Sequence, residues 1–285
     1  MMPSVAGSGG EEAGRDESRQ IRTVFRAGRI VTTLAEHPYP MGISELARRV
    51  QLSPGSVHRL LGTLIGMGWV DQNTRTAKYR LGTRLLGIGA AGLVANPVVE
   101  LGKTYLAELA EWTGQDALLS TLVGMRNVHL ARVAGANSRL AEFQPGRSQP
   151  AHAMADGKLL LAFLSPEERA HLYRAEAMHS YTANTIVEPE LLEAELDQIR
   201  ERGYAVDNYE RFETGRGLAV PVLGHDKRIM LALLCVGELD PAQDAALVNQ
   251  MLSMAHQISD QLTMAGDLPG QVRMNARRAQ QDDAS

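Results

Sequence analysis

Apolar residues recur at helical spacing through QIRTVFRAGRIVTTLAE, residues 20–36, where Ile21, Val24, Phe25, Ile30, Val31 and Leu34 fall on one stripe. That is the pattern of an amphipathic helix. The prolines of HPYP end it, because proline removes a backbone donor and clashes inside a helix. A second short helix follows, with Ile43, Leu46, Ala47 and Val50 as its apolar face and Ser44 as its expected cap. After the turn QLS comes PGSVHRLLGTLIG. Here Ser53 is the expected N-cap, Pro54 the first helical residue, and Val57, Leu60, Leu61, Leu64 and Ile65 the buried stripe. The opposite side carries Gly55, Ser56, Arg59, Gly62, Thr63 and Gly66 and no acid. GWVDQNTRTAKYRLG then alternates about a turn at Asn73-Thr74, a two-stranded ribbon with Arg75 at its tip and Lys78 and Arg80 beyond.

The second half mixes both periods. A short apolar helix, TRLLGIGAAGLVANP, ends at Asn96-Pro97, and residues 98–112 repeat a helical stripe. QDALLSTLVGMRNVHLARVAG reads as a hairpin turning at residues 124–127. A second hairpin joins strands 217–223 and 229–236 through GHDKR, and helices are expected over 152–163, 166–174, 189–202 and 242–264. Hairpins with segregated helices predict an antiparallel α+β domain. The expected organisation is a disordered lead over 1–18, a winged helix-turn-helix over 19–82, a connector helix over 83–96, the α+β domain over 97–265 and a disordered tail over 266–285.

Charge sharpens the picture. The chain of 285 residues has a net charge of −4. Residues 19–84 nonetheless carry eleven basic residues against three acids, Glu36, Glu45 and Asp71. A basic block on an acidic chain points to a polyanion partner for that block. Two short helices joined by a tight turn, the second presenting a slim, acid-free face, suit a major groove. The candidate contacts to a double-stranded operator are Ser44, Ser53, Gly55, Ser56, His58, Arg59 and Thr63, with Arg75 and Lys78 on the wing. One cysteine, Cys235, precludes an intrachain disulfide and fits a reducing, cytoplasmic setting. There is no run of about 18 apolar residues for a transmembrane helix, so no membrane partner is expected.

Enzyme signatures are not found. The histidines show no zinc spacing such as HExxH, Cys235 sits in the apolar stretch LALLCVG, and Ser120 and Ser148 lack a nucleophile elbow. Asp156-Gly157-Lys158 lacks phosphate-loop glycine spacing and reads as a tight loop-to-helix junction. No catalytic residue, metal or cofactor is expected.

ISELARRVQLSPGSVHRLLGTLIGMGWVDQNTRTAKYRLG resembles the winged-helix domain of the IclR family of bacterial transcription regulators. PAHAMADGKLLLAFLS and TIVEPELLEAELDQIRERGYAVDNYERFETGRGLAVPV are similar to that family's second domain, and the likeness runs from about residue 19 to 265. It implies a GAF-like effector-binding domain, a homodimer or homotetramer, and an effector site at Met154, Ala155, Asp156, Asp207, Gly217, Leu234 and Val236. Relatives that bind small carboxylic acids place hydroxyls or a thiol where this chain has Gly217, Leu234 and Val236. The departure implies a larger, less polar cavity with Asp156 and Asp207 as its polar groups, and an apolar or aromatic effector carrying a hydroxyl or amine, unless Arg216 or a water compensates for a carboxylate ligand; Leu234 and Val236 read equally well as plain core. The other reading is a protein-binding winged helix with a dimerisation domain.

Overall fold

The computed structural model describes residues 21–37, 39–94, 97–138, 143–224 and 228–264. The expected disordered lead and tail, Pro38 of HPYP, Asn96 of the connector's end, and the centre of the GHDKR turn lie outside the described residues. Two compact units divide the chain, the break falling between Leu93 and Val94.

The first unit begins with α1 (Arg22–Glu36), α2 (Ile43–Arg49) and α3 (Pro54–Gly66). A ribbon of β1 (Val70–Gln72) and β2 (Tyr79–Leu81) follows, then α4 (Thr83–Val94). Ile30, Leu34, Leu46, Val50, Val57, Leu61, Leu64 and Tyr79 close one core. Two expectations fail at its edges. Ile21, Val24 and Phe25 share the α1 stripe in sequence, yet they are 69%, 66% and 63% exposed, because the core takes only the C-terminal half of α1. Leu60 is half-buried and Ile65 exposed, so α3 buries a narrower stripe than its apolar content suggests. Met41 bridges Tyr79 of the wing by two backbone hydrogen bonds of 2.9 and 2.7 Å. That bridge holds the chain extended up to Gly42, which becomes the N-cap of α2. Ser44 therefore lies inside the first turn and caps nothing. At the wing's base Gly82 is required: a Cβ there would lie 2.3 Å from the Gly68 carbonyl oxygen.

The second unit is a six-stranded sheet, antiparallel throughout, in the order β5-β4-β3-β8-β7-β6. Its strands are β3 (Asp116–Val123), β4 (Arg126–Val133), β5 (Ser148–Pro150), β6 (Ala205–Asp207), β7 (Arg216–Leu223) and β8 (Ile229–Gly237). The first hairpin turns on Gly124 at φ +60°, so Arg126 and Asn127 belong to β4 and not to the turn. α5 (Pro97–Thr113) and α9 (Asp244–Met264) cover one face of the sheet. The other receives α6 (Ala155–Ala162), backed by α8 (Pro189–Arg202), with α7 (Pro166–Ala175) between them in the chain. The helix expected over 152–163 is interrupted. Residues 151–153 form a single 3-10 turn and Met154 is extended (φ −132°, ψ 144°) before α6 starts. Gly157 sits against that turn, where a Cβ would meet Ala151 Cα and its carbonyl oxygen at 2.4 Å. The glycine of Asp-Gly-Lys is thus a packing requirement.

Candidate functional site

The first candidate site is the outer face of α3 with the wing. Ser53 caps α3: its Oγ accepts from the Ser56 backbone N–H at 3.3 Å, and its hydroxyl donates to Ser56 Oγ at 2.9 Å. These two serines are tied to each other at the helix start, with Ser56 half-buried. Gly55, His58, Arg59 and Thr63 are exposed, as is Ser44 on α2. Nothing lies within 4 Å of a Cβ built at Gly55, Gly62 or Gly66. The face is slim, and Gly62, in the helix interior, forgoes helix stability that alanine would supply. On the wing, Asn73 Oδ1 accepts from the Arg75 and Thr76 backbone N–H groups at 2.9 and 3.0 Å, and the Asn73 N–H donates to the Lys78 carbonyl at 2.8 Å. These bonds close a six-residue loop in place of the expected two-residue turn, and they hold Arg75 and Lys78 outward, both exposed. Two of the block's three acids are engaged, Glu45 with Arg49 at 3.2 Å and Asp71 with Arg80 at 3.8 Å. Arg59, Arg75 and Lys78 are exposed cations on the helix face and loop.

The second candidate site lies where α6 meets the sheet. Met154, Ala155, Asp156, Asp207, Leu234 and Val236 are at most 2% exposed, and Gly217 is buried with them. The register sets Asp207 opposite Gly217 and Gly217 opposite Val236. A Cβ on Gly217 would lie 3.2 Å from Leu234 Cδ1, 3.4 Å from Ala155 Cβ and 3.7 Å from Asp207 Cβ. Four of the expected residues therefore meet at one point. The space directly at Gly217 is bordered by the branched end of Leu234, which would press on any side chain placed there. Asp156 turns elsewhere: its Oδ2 accepts from Asn127 Nδ2 at 2.7 Å and its Oδ1 from the Gly157 N–H at 3.0 Å. Arg216 is already engaged. Its guanidinium makes a two-pronged pair with Asp244 at 2.7 and 2.8 Å.

Sequence reading missed the charged partner of this region. Lys158 is 1% exposed, with its ammonium 2.5 Å from Glu210 Oε1 and 3.5 Å from Glu195 Oε1. Asp207 Oδ1 accepts from the Glu210 backbone N–H at 2.7 Å. Burial pushes the Asp207 carboxyl up to about 7, helped by the negative Glu210 and Asp156 and opposed by that N–H and by Lys158. Near neutral pH Asp207 is thus divided between acid and carboxylate, and can either donate or accept a hydrogen bond. Also missed were Asn127 and His129, both fully buried on β4. The available signal was their two-residue spacing, which resembles a solvent face alternating with Val128 and Leu130. Here the alternation is inverted: the polar pair lies beneath α6 and the apolar pair is half-buried.

Cys235 is fully buried, and burial pushes its thiol up to about 12 against the weak contact to Thr113 Oγ1. That environment makes a poor nucleophile. No described helix is long and apolar enough to cross a membrane.

Comparison with known proteins covers both units. Residues 23–74 match the family model for the IclR helix-turn-helix domain, and residues 90–262 that for the bacterial transcriptional regulator IclR C-terminal domain. The HTH-type transcriptional regulator XynR of Escherichia coli K12 is 34% identical over 229 residues, covering 80% of this chain and 91% of that protein. KdgR of the same organism is 31% identical, covering 71% of this chain and 76% of its own. A crystal structure of an IclR homologue from Microbacterium hydrocarbonoxydans complexed with 4-hydroxybenzoate shares the fold, with a TM-score of 0.66 and 21% identity over 84% of this chain and 98% of that one.

Proposed function

The chain belongs to the IclR family of bacterial transcriptional regulators, and from that premise we propose a dimeric, cytoplasmic, effector-gated operator-binding protein. The outer face of α3 carries the DNA half of this reading: exposed, basic, without acid, and slim enough for a backbone to approach a groove. The effector half rests on the buried polar groups beneath α6. α4 follows the wing directly in sequence and is the candidate mechanical link. An effector acts only by its different affinity for DNA-competent and DNA-incompetent conformations.

The test is a gel-shift titration on the DNA upstream of the protein's own coding region. Arg59→Ala is expected to weaken operator binding by about 1–3 kcal/mol if the guanidinium meets a base edge. A uniform loss across operator variants would assign it to phosphate. Wild-type affinity in the variant would remove α3 from the interface. Repeating the titration across salt reads the wing: Arg75→Ala and Lys78→Ala should each flatten the slope of log K against log salt by about 0.9. An unchanged slope would place the wing away from DNA.

The exposed Ile21, Val24 and Phe25, spaced along one side of α1, support self-association through the first unit. A second copy would cover this apolar strip and set two recognition helices on two half-sites. Phe25→Asp is expected to lower operator affinity at least tenfold and to leave a monomeric first unit in cross-linking of the DNA-bound protein. Full cross-linking and full affinity in the variant would place the dimer contact elsewhere.

A further inference from the structure

Beneath α6, a second group of polar side chains lies on β3 and β4. By strand alternation Ser120 falls between Leu118 and Leu122 on the face that α6 covers. His129 is its register partner on β4, and Asn127 lies two residues along. All three are fully buried. Their hydrogen-bond polarity can be worked out. The Asp156 carboxylate requires a donor, so it fixes the Asn127 amide with its nitrogen toward α6. That nitrogen also lies 3.4 Å from His129 Nε2, which makes Nε2 the acceptor nitrogen of the ring. Burial, aided by Arg132 and opposed by Asp156, holds the imidazole neutral. Its proton is then on Nδ1.

In this group one atom of each residue has no partner among the described residues: Asn127 Oδ1, His129 Nδ1 and Ser120 Oγ. The first only accepts, the second only donates, and the third does both. Native chains leave few buried polar atoms unpaired, and such atoms commonly mark a site for water, ion or ligand. The complementary group is uncharged and both donates and accepts. The hydroxyl of a ligand satisfies this, as does a water that such a hydroxyl would displace. A carboxylate would stand against Asn127 Oδ1 and the Asp156 charge, and an ammonium against the His129 N–H. The neighbouring wall is aromatic: Phe143 lies 5.2 Å from the imidazole, ring centre to ring centre, and Phe212 lies 5.6 Å beyond it.

We propose that Asn127, His129 and Ser120 form the polar end of the effector site and hold the uncharged hydroxyl of an aromatic effector, with Phe143 against its ring. This deepens the effector-binding reading above and rests on it. It moves the polar recognition from Gly217, which Leu234 borders, to β4.

The experiment uses the full-length protein labelled with nitrogen-15 at histidine, with phenol as probe and benzoate and benzylamine as size-matched charged controls. Expected is a neutral His129 protonated at Nδ1, whose resonances move saturably with phenol and not with either control. His129→Phe keeps the ring volume, Asn127→Leu the side-chain size, and Ser120→Ala removes one atom. Each should weaken phenol binding, measured by calorimetry, about tenfold, as loss of a buried hydrogen-bond partner does. Failure of phenol to move His129, preference for benzoate or benzylamine, or phenol binding unaltered in Ser120→Ala and a folded His129→Phe would each overturn the assignment. Operator gel-shifts are read separately. Operator release by some other effector, with phenol ignored, removes this site and keeps the regulator. Phenol bound here with no response at the operator keeps the site and removes its regulatory role.

Discussion

Replacing Lys158 by methionine is expected to cost about 3–5 kcal/mol of folding stability, the range for removing one partner of a buried ion pair. The ammonium is 1% exposed and sits between Glu210 and Glu195, at 2.5 and 3.5 Å. Glu210 is itself only 4% exposed, and its second oxygen has no partner among the described residues. Without Lys158 that carboxylate remains buried beside Asp207, whose own charge already suffers from its presence. The cost therefore lies in an uncompensated charge more than in a lost attraction. The double variant Lys158→Met, Glu210→Gln should recover most of the loss, because it removes the stranded charge and keeps an oxygen to accept the Asn208 N–H. Urea unfolding at neutral pH reads both. A cost below about 1 kcal/mol for the single variant would mean that the pair is solvated and contributes as surface pairs do.

Asp207→Asn should change the pH dependence of stability by an amount of the same order. The folded carboxyl is raised from 3.8 to about 7, so the native state holds its proton after the unfolded state has released it. The favourable contribution of this group is fully present below about pH 4. It is lost progressively as pH rises, and the loss is complete above about pH 7. At about 1.4 kcal/mol per pKa unit, the total is roughly 4 kcal/mol. Asparagine keeps the oxygen that accepts from Glu210 and cannot ionise. The variant should match wild type near pH 4, gain on it steadily through pH 5 and 6, and be the more stable protein at pH 8. Parallel curves for the two proteins across that range would show that burial does not hold the Asp207 proton.

The winged helix was legible because its determinants are local. Ser53-Pro54 starts α3 where a capping serine and an N-terminal proline belong, and Val57, Leu61 and Leu64 bury at helical spacing. Periodicity could not tell a core stripe from a surface awaiting a partner, which is why Ile21, Val24 and Phe25 read as core and stand exposed. Ser44 read as a cap because the signal that displaces it is distant: Met41 pairs with Tyr79, far along the chain, and Gly42 takes the boundary. In the second unit the residues around Gly217 were named by family likeness, and their packing was out of its reach, since the position of Leu234 depends on a neighbouring strand. Asn127 and His129 escaped because polar residues alternating with apolar ones signal a wet face. Only Asp156, 29 positions onward, shows that this face is dry.

The outward side of α3 has an evolutionary consequence. Its anchor, Val57, Leu61 and Leu64, shares no atom with positions 55, 59, 62, 63 and 66, and the glycines there have open space around them. New side chains at those positions meet no steric objection from the fold, and replacing a glycine raises helix propensity. With this face reading the operator as proposed, operator preference could drift, or be selected from a library, while the scaffold tolerates each trial. The vocabulary of the helix is separable from its grammar, and a lineage of such chains can acquire new targets without first acquiring spare stability.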